Sequence, residues 1–327
     1  MTSKLHIEKK SWRMKEPFTI ARGTHYTSEM VVVRLESEGK TGMGEAAGVD
    51  YHGETPDSII EQIEAVRAPL EAGADRQALL QLLPAGGARN AVDGALWDLE
   101  AKRTGVRAWQ RAGVPQGGAI TTAVTIGIRD LDGYRRSARA LANHPWIKIK
   151  VAQDAPMEAI AAVRAEAPNA KFVVDPNQAW SVAEMRALMP RLVELGVNLL
   201  EQPVPVGGDH DLIDFTSPIP VCADEAVDTV DDLPHLKGRY DFINIKLDKV
   251  GGLTAALELA RAAQKEGFKL MVGCMAGGSI AMAPGMVLGQ LCEVVDLDGP
   301  LLQAEDWPGG IVYRDGVMQP PWPDFWG

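Results

Sequence analysis

Ile147-Lys148-Ile149-Lys150, Val173-Val174-Asp175-Pro176-Asn177 and Leu199-Leu200-Glu201-Gln202-Pro203 share one design: a short apolar run that ends on a charge. Runs of this length, bounded by turn residues, read as buried strands. Between them lie helical stretches, Ala155–Glu166 and Ser181–Leu195, the second expected to be interrupted by Pro190. Outward from this stretch the alternation starts near Ala119 and includes a further helix over Leu253–Lys265. Strand ends are expected at Ile126, Lys150, Asp175, Glu201, Asp224, Lys246, Gly273 and Asp296, at intervals of 22 to 27 residues. Each interval holds a strand and its crossover. Such regularity implies a parallel sheet, and eight strands imply a closed barrel. After Asp296 the chain is Pro- and Gly-rich, with Pro300, Pro308, Pro320, Pro321 and Pro323, so no eighth helix is expected. The expected class is α/β, a (β/α)7β modified TIM barrel over 118–299. A tail over 300–327 is then free to return to the first domain.

Residues 1–117 have another rhythm, strands first and helices second, which indicates a small α+β domain. Leu5 to Lys10 is a candidate opening strand, and Met30-Val31-Val32-Val33-Arg34-Leu35 a clearer one, turning at Glu38-Gly39-Lys40. Thr55-Pro56-Asp57 starts a helix with Thr as N-cap and Pro at the first helical position, continuing through Ile59, Ile60, Ile63 and Val66. A second helix carries Val92, Leu96 and Leu99 and stops at Gly105. Two Gly-containing loops, Ala21–Thr24 and Gly48–Gly53, either reach a neighbouring domain or are ordinary surface loops.

Composition narrows the class of function. With 33 Lys and Arg against 44 Asp and Glu, the net charge of −11 disfavours nucleic acid as a partner. No run of 18 apolar residues offers a membrane span, and the N-terminal stretch interleaves charges with single apolar residues, unlike a secretory signal. Cys222, Cys274 and Cys292 lie too far apart for a disulfide framework or a zinc knuckle. A reducing cytoplasm is the expected setting, and further copies of the chain are expected partners.

The charges at the strand ends carry the chemistry, because barrel enzymes work at that end. One charge after a strand is commonly a solvated loop; six at one register form a set, and each is half buried in the mouth, where an unpaired charge is costly. Asp175, Glu201 and Asp224 end adjacent strands and present three hard oxygen donors, a set that suits one Mg²⁺. Calcium or a structural acidic patch is the plainer alternative. Lys150 and Lys246 come from strands on either side of those donors. Lys148 shares a face with Lys150, and their repulsion is expected to favour a neutral amine able to act as a base. The alternative is that each lysine only pairs with a carboxylate. Two bases about a metal-held carboxylate suit removal of the adjacent proton, the cation stabilising the enediolate; a lysine base with Mg²⁺ is the general pattern of enolase-superfamily sites. With both lysines acting, the result is a racemase or epimerase.

The motifs Lys148-Ile149-Lys150, Asp175-Pro176-Asn177, Glu201-Gln202-Pro203, Asp224-Glu225 and Ile245–Gly252 together resemble the muconate-lactonizing subgroup of the enolase superfamily, over nearly the whole chain. The resemblance implies an N-terminal capping domain on the barrel, one Mg²⁺ per subunit and acid/base roles for Lys150 and Lys246, with Lys148 in electrostatic support. Asp296-Leu297-Asp298 is similar to the Asp-x-Asp of dipeptide epimerases, which implies that it holds a dipeptide's ammonium; a capped turn before Gly299 is the alternative. Phe18–Gly23 and Asn244–Lys249 resemble L-Ala-D/L-Glu epimerases of bacterial cell-wall recycling, so that Arg22 in the cap loop would meet the glutamate carboxylate of a small acidic dipeptide. A surface ion pair is the other reading of Arg22. Tyr51, Cys274 and Met275 are further candidate contacts. An N-acylamino acid racemase or o-succinylbenzoate synthase would use the same metal and lysines without needing Asp296 and Asp298. A non-catalytic binding barrel is the remaining alternative.

Overall fold

In the computed structural model, which describes residues 2–115 and 117–327, the alternating runs form one eight-stranded parallel sheet. Met1 and Gln116, within the expected first domain, lie outside the described residues. Strands one to eight are Val124–Ile126, Trp146–Lys150, Lys171–Asp175, Val197–Glu201, Val221–Ala223, Phe242–Lys246, Lys269–Gly273 and Val294–Val295. They pair in chain order. The sheet curls until its ends meet, where Ala123 N–H donates to the Val295 carbonyl at 2.7 Å and Leu297 N–H to the Thr122 hydroxyl at 2.8 Å. The period of two explains the inside of the barrel. Val173, Leu199, Cys222, Phe242, Met271 and Val294 fill its floor. Two residues further along, the same face carries Asp175, Glu201, Asp224, Asn244 and Asp296. The opposite face, with Ile147, Ile149, Phe172, Val174, Ile243 and Ile245, packs on the helices.

Helices Pro156–Glu166, Val182–Glu194 and Leu253–Lys265 stand where the sequence puts them. Pro190 does not interrupt the second. It lies on the exposed side, where the Arg186 carbonyl deprived of its donor faces solvent. The fourth crossover departs from the expected seven helices: between Glu201 and Val221 there is only the 3₁₀ turn His210–Leu212. That segment contains Pro203, Pro205, Pro218 and Pro220, which remove donors a helix requires. After strand eight a single helical turn, Gly299–Leu302, stands in place of an eighth helix.

The first domain is a three-stranded antiparallel sheet, Lys4–Ile20, Gly23–Ser37 and Lys40–Ala47, backed by helices. The opening strand runs well past Lys10: Trp12 and Met14 continue the alternation as buried residues, and beyond a register shift between Arg13 and Phe18 the chain forms a two-stranded ribbon. The third strand is hidden from pattern reading by Gly42 and Gly44. A Cβ there would lie 2.2 Å from the Ala95 carbonyl oxygen and 2.0 Å from that of Ala91, on helix Gly87–Thr104. Thr55 caps helix Pro56–Ala65 by accepting from Ser58 N–H at 3.1 Å, and Gly105, at φ +71°, ends the long helix. The tail returns to this domain: the Trp326 indole N–H donates to the Met43 carbonyl at 3.0 Å, and Gly327 N–H to Asp98 at 2.9 Å. Among the described residues no helix is long and apolar enough to cross a membrane.

Candidate active site

A cavity of about 330 Å³ opens at the C-terminal ends of the strands, beneath the ribbon of the first domain. Arg22, Lys148, Lys150, Asn177, Lys246, Cys274, Met275, Asp296 and Asp298 line it. A larger groove, about 500 Å³, runs between the tail and helix Ser279–Gly289, far from this cluster of charges and lined mostly by apolar and proline side chains.

Lys148 is fully buried and stands among carboxylates: 2.7 Å from Glu201, 2.9 Å from Asp296 and 3.3 Å from Asp175. Lys150 donates to Asp175 at 2.5 Å and to the Asn177 side chain at 3.1 Å. Lys246 donates to Asp224 at 2.7 Å, and Lys249 lies 3.0 Å from the other Asp224 oxygen. Burial disfavours each ammonium, but Asp296, Glu201 and Asp175 hold Lys148 well above the usual lysine range, and Asp224 raises Lys246. The expected repulsion between Lys148 and Lys150 does not favour a neutral Lys148, because the carboxylates around it outweigh that repulsion. The carboxyls divide accordingly. Against the effect of burial, Lys150 and Lys148 hold Asp175 below the ordinary range, and Lys246 and Lys249 hold Asp224 well below it. Glu201 goes up, through burial and the negative charges of Asp175 and Asp224.

The donors fit a hard divalent cation. Glu201 Oε2 and Asp224 Oδ1 are buried and make no hydrogen bond of proper geometry, although a lysine ammonium lies near each. Two carboxylate oxygens on adjacent strands thus keep lone pairs unsatisfied, and the raised Glu201 marks a place short of positive charge. Among the described residues no three acidic, histidine or cysteine side chains stand close enough to grip an ion as they are. The lysines are drawn in among them instead.

Asp296 and Asp298 share the far wall. Thr125 N–H donates to Asp298 at 2.6 Å and its hydroxyl to Asp296 at 3.4 Å. Burial, then the charge of Asp296, pushes Asp298 up to about 7. Arg22 sits in the two-residue turn of the ribbon, which is pinned just behind it by Ile128 N–H donating to the Thr19 carbonyl at 2.7 Å. Its guanidinium lies 2.9 Å from Glu225 and 5.0 Å from the centre of the Tyr51 ring. Both readings of Arg22 thus describe it, a cavity residue and an ion pair. Tyr51 stands one step behind the lining, its buried hydroxyl without a partner. Asn177, Thr125, Lys249 and Glu225 were given no role from sequence. Adjacency to Asp175 and Asp224 is a signal for Asn177 and Glu225. Lys249 lies buried in the helical turn Leu247–Val250 and carries no such signal.

Residues 133–322 match the family model described as enolase C-terminal domain-like, and residues 2–113 that of the mandelate racemase / muconate lactonizing enzyme N-terminal domain. The L-Ala-D/L-Glu epimerase of Escherichia coli (strain K12) is 40% identical over 314 residues, 95% of this chain and 98% of that protein. An N-acetyl-D-glutamate racemase of Pseudoalteromonas sp. is 39% identical over 302 residues, 91% of this chain and 95% of its own. Among solved structures, an enolase family member of Agrobacterium tumefaciens with homology to dipeptide epimerases, holding sodium and L-Ala-L-Glu, has a TM-score of 0.96 at 40% identity, covering 99% of this chain and 100% of that one. A dipeptide epimerase of Methylococcus capsulatus, complexed with Mg and L-Arg-D-Lys, has a TM-score of 0.91 at 28% identity, covering 98% and 97%.

Proposed function

The chain belongs to the mandelate racemase / muconate lactonizing enzyme family of the enolase superfamily, and from that premise we propose that it is a Mg²⁺-dependent isomerase that inverts the α-carbon of a dipeptide's C-terminal residue. L-Ala-D/L-Glu is the substrate to which the reading commits. The observation that carries it is the pair Lys150 and Lys246, lining one cavity and bonded to different carboxylates, Asp175 and Asp224.

Asp175, Glu201 and Asp224 would hold the metal. These carboxylates, with Asp296 and Asp298, stand buried beside Lys148, Lys150, Lys246 and Lys249. When bound, Mg²⁺ would supply Lewis acidity toward the dipeptide's carboxylate and the charge that develops beside it. In its neutral form, a lysine facing the cavity can accept a proton as the base. One of Lys150 and Lys246 removes the α-proton and the other returns a proton to the opposite face. Lys148 remains charged among Glu201, Asp175 and Asp296 and supports the carboxylate electrostatically. Asp296 and Asp298 receive the dipeptide's ammonium, and Arg22 the carboxylate of an acidic side chain. A cytoplasmic setting accords with three cysteines that are free; assembly into a homo-oligomer is read out by light scattering.

The N-acetyl-D-glutamate racemase relative supports a second reading, the same proton exchange on an N-acylated amino acid. Incubation with Mg²⁺ in D₂O, followed by NMR, separates the two. Deuterium entering the C-terminal α-carbon of L-Ala-L-Glu much faster than that of N-acetyl-L-glutamate supports the dipeptide reading. Equal or reversed rates favour the racemase.

A further inference from the structure

Arg22 does not wait in the cavity with its charge unmatched. The ribbon tip brings it to Glu225, whose side chain is 4% exposed, and the Arg22 Nη1 donates to Glu225 Oε1 at 2.9 Å. That is the one hydrogen bond Arg22 makes among the described residues, so its remaining donors are not engaged. Glu225 in turn cannot retreat. It follows Asp224 in a loop held on both sides of it, because the Asp224 and Ala226 N–H groups both donate to Gln202 Oε1, at 2.8 and 3.1 Å. The Gln202 amide is itself tied to the Val204 carbonyl at 2.9 Å and to the Tyr240 hydroxyl at 3.1 Å. The second Glu225 oxygen, Oε2, is buried and has no hydrogen-bond partner among the described residues.

We propose that Glu225 is a resident counter-ion that sets how strictly the cavity demands an acidic side chain; the inference rests on the dipeptide reading above. A guanidinium is always charged, and a cavity that offers one, here with its side chain 32% exposed, disfavours a substrate that would close over it without supplying a carboxylate. Such rejection reaches about 10⁴–10⁵-fold when a built polar group is left unpaired. Here a neutral side chain leaves Arg22 still paired with Glu225, so that penalty is largely removed. An acidic side chain must instead share the guanidinium with a fixed carboxylate, which weakens its hold. Both effects flatten discrimination. Glu225 is thus a specificity-determining residue that acts through Arg22 and touches no reacting atom.

The readout is the ratio of kcat/KM for L-Ala-L-Glu to that for L-Ala-L-Met, from α-proton exchange in D₂O with Mg²⁺. The unaltered enzyme should give a ratio below about 10³. Glu225→Gln keeps an acceptor for Arg22 but removes the charge, and should raise the ratio about tenfold, mainly through a lower KM for L-Ala-L-Glu. A ratio at or above 10³ in the unaltered enzyme, or one that is unchanged or falls in Glu225→Gln, overturns the proposal. Should the variant not fold, the unaltered ratio decides alone. Exchange with no dipeptide at all defeats the reading of the activity and this inference with it. Exchange with both dipeptides and an unmoved ratio defeats only the role of Glu225.

Discussion

Lys150 and Lys246 differ from the other buried lysines in where their charge is balanced. Lys148 touches three carboxylates, and Lys249 is enclosed by Asp224 and the Val227 carbonyl, so each is held in place. Lys150 and Lys246 each meet one carboxylate and face the cavity. Replacing either by Ala should lower net epimerisation by about 10²–10⁴-fold, the usual worth of a positioned acid or base. Each variant should still exchange the α-proton of one stereoisomer, which NMR in D₂O on the separate L- and D-isomers would reveal. Full epimerisation by both variants would defeat the two-base scheme. The strand-end residues were legible because a charge two positions beyond a floor residue has to share its inward face. The state of Lys148 was not legible: it depends on Asp296 reaching it from the end of strand eight, round the closure of the barrel and 148 residues along the chain.

At the scale of elements, Asp93 joins the two domains. On helix Gly87–Thr104 it accepts from Thr254 N–H at 3.0 Å and from the Thr254 hydroxyl at 2.5 Å, at the start of helix Leu253–Lys265. Gly252, at φ +104°, permits the approach, since a Cβ there would lie 2.6 Å from the Asp93 Cβ. Burial, only partly offset by these bonds, pushes Asp93 up to about 6. A carboxyl raised on folding binds its proton more tightly in the native state, so its contribution to stability is full at low pH. That contribution falls as the pH rises from about 4 to about 6, by on the order of 3 kcal/mol in all. Thermal melts of the parent and of Asp93→Asn should therefore diverge over that window, the parent losing stability relative to the variant as pH rises. Parallel curves would remove the assignment. The pair Gly251-Gly252 was readable as a motif, but its cause, a helix of the other domain pressed against it, was not. The same holds for the third strand, whose glycines suit close helix contact and erase the apolar signal, and for the crossover at 203–220, where length alone suggested a helix.

For the whole molecule, the buried cluster makes the metal a matter of stability as well as chemistry. A cation binding the folded state at 100 times its dissociation constant stabilises it by about 2.7 kcal/mol. Added Mg²⁺ should therefore raise the melting temperature of a chelator-treated sample by on the order of 5 °C and restore its exchange activity. A melting point indifferent to Mg²⁺, with full activity after chelation, would contradict the site. The return of the tail bears on how the chain is made. Trp326 and Gly327 bond to Met43 and Asp98 of the first domain, and the Gly327 carbonyl also accepts from Ala108 N–H. On a ribosome moving at about 5–20 residues per second, the first domain emerges roughly 10–40 s before that segment does. During this interval the seat of the Trp326 indole is uncovered. A nascent chain therefore passes through a stage in which this notch on the first domain is open to holdase chaperones, until the last residues of the tail close over it.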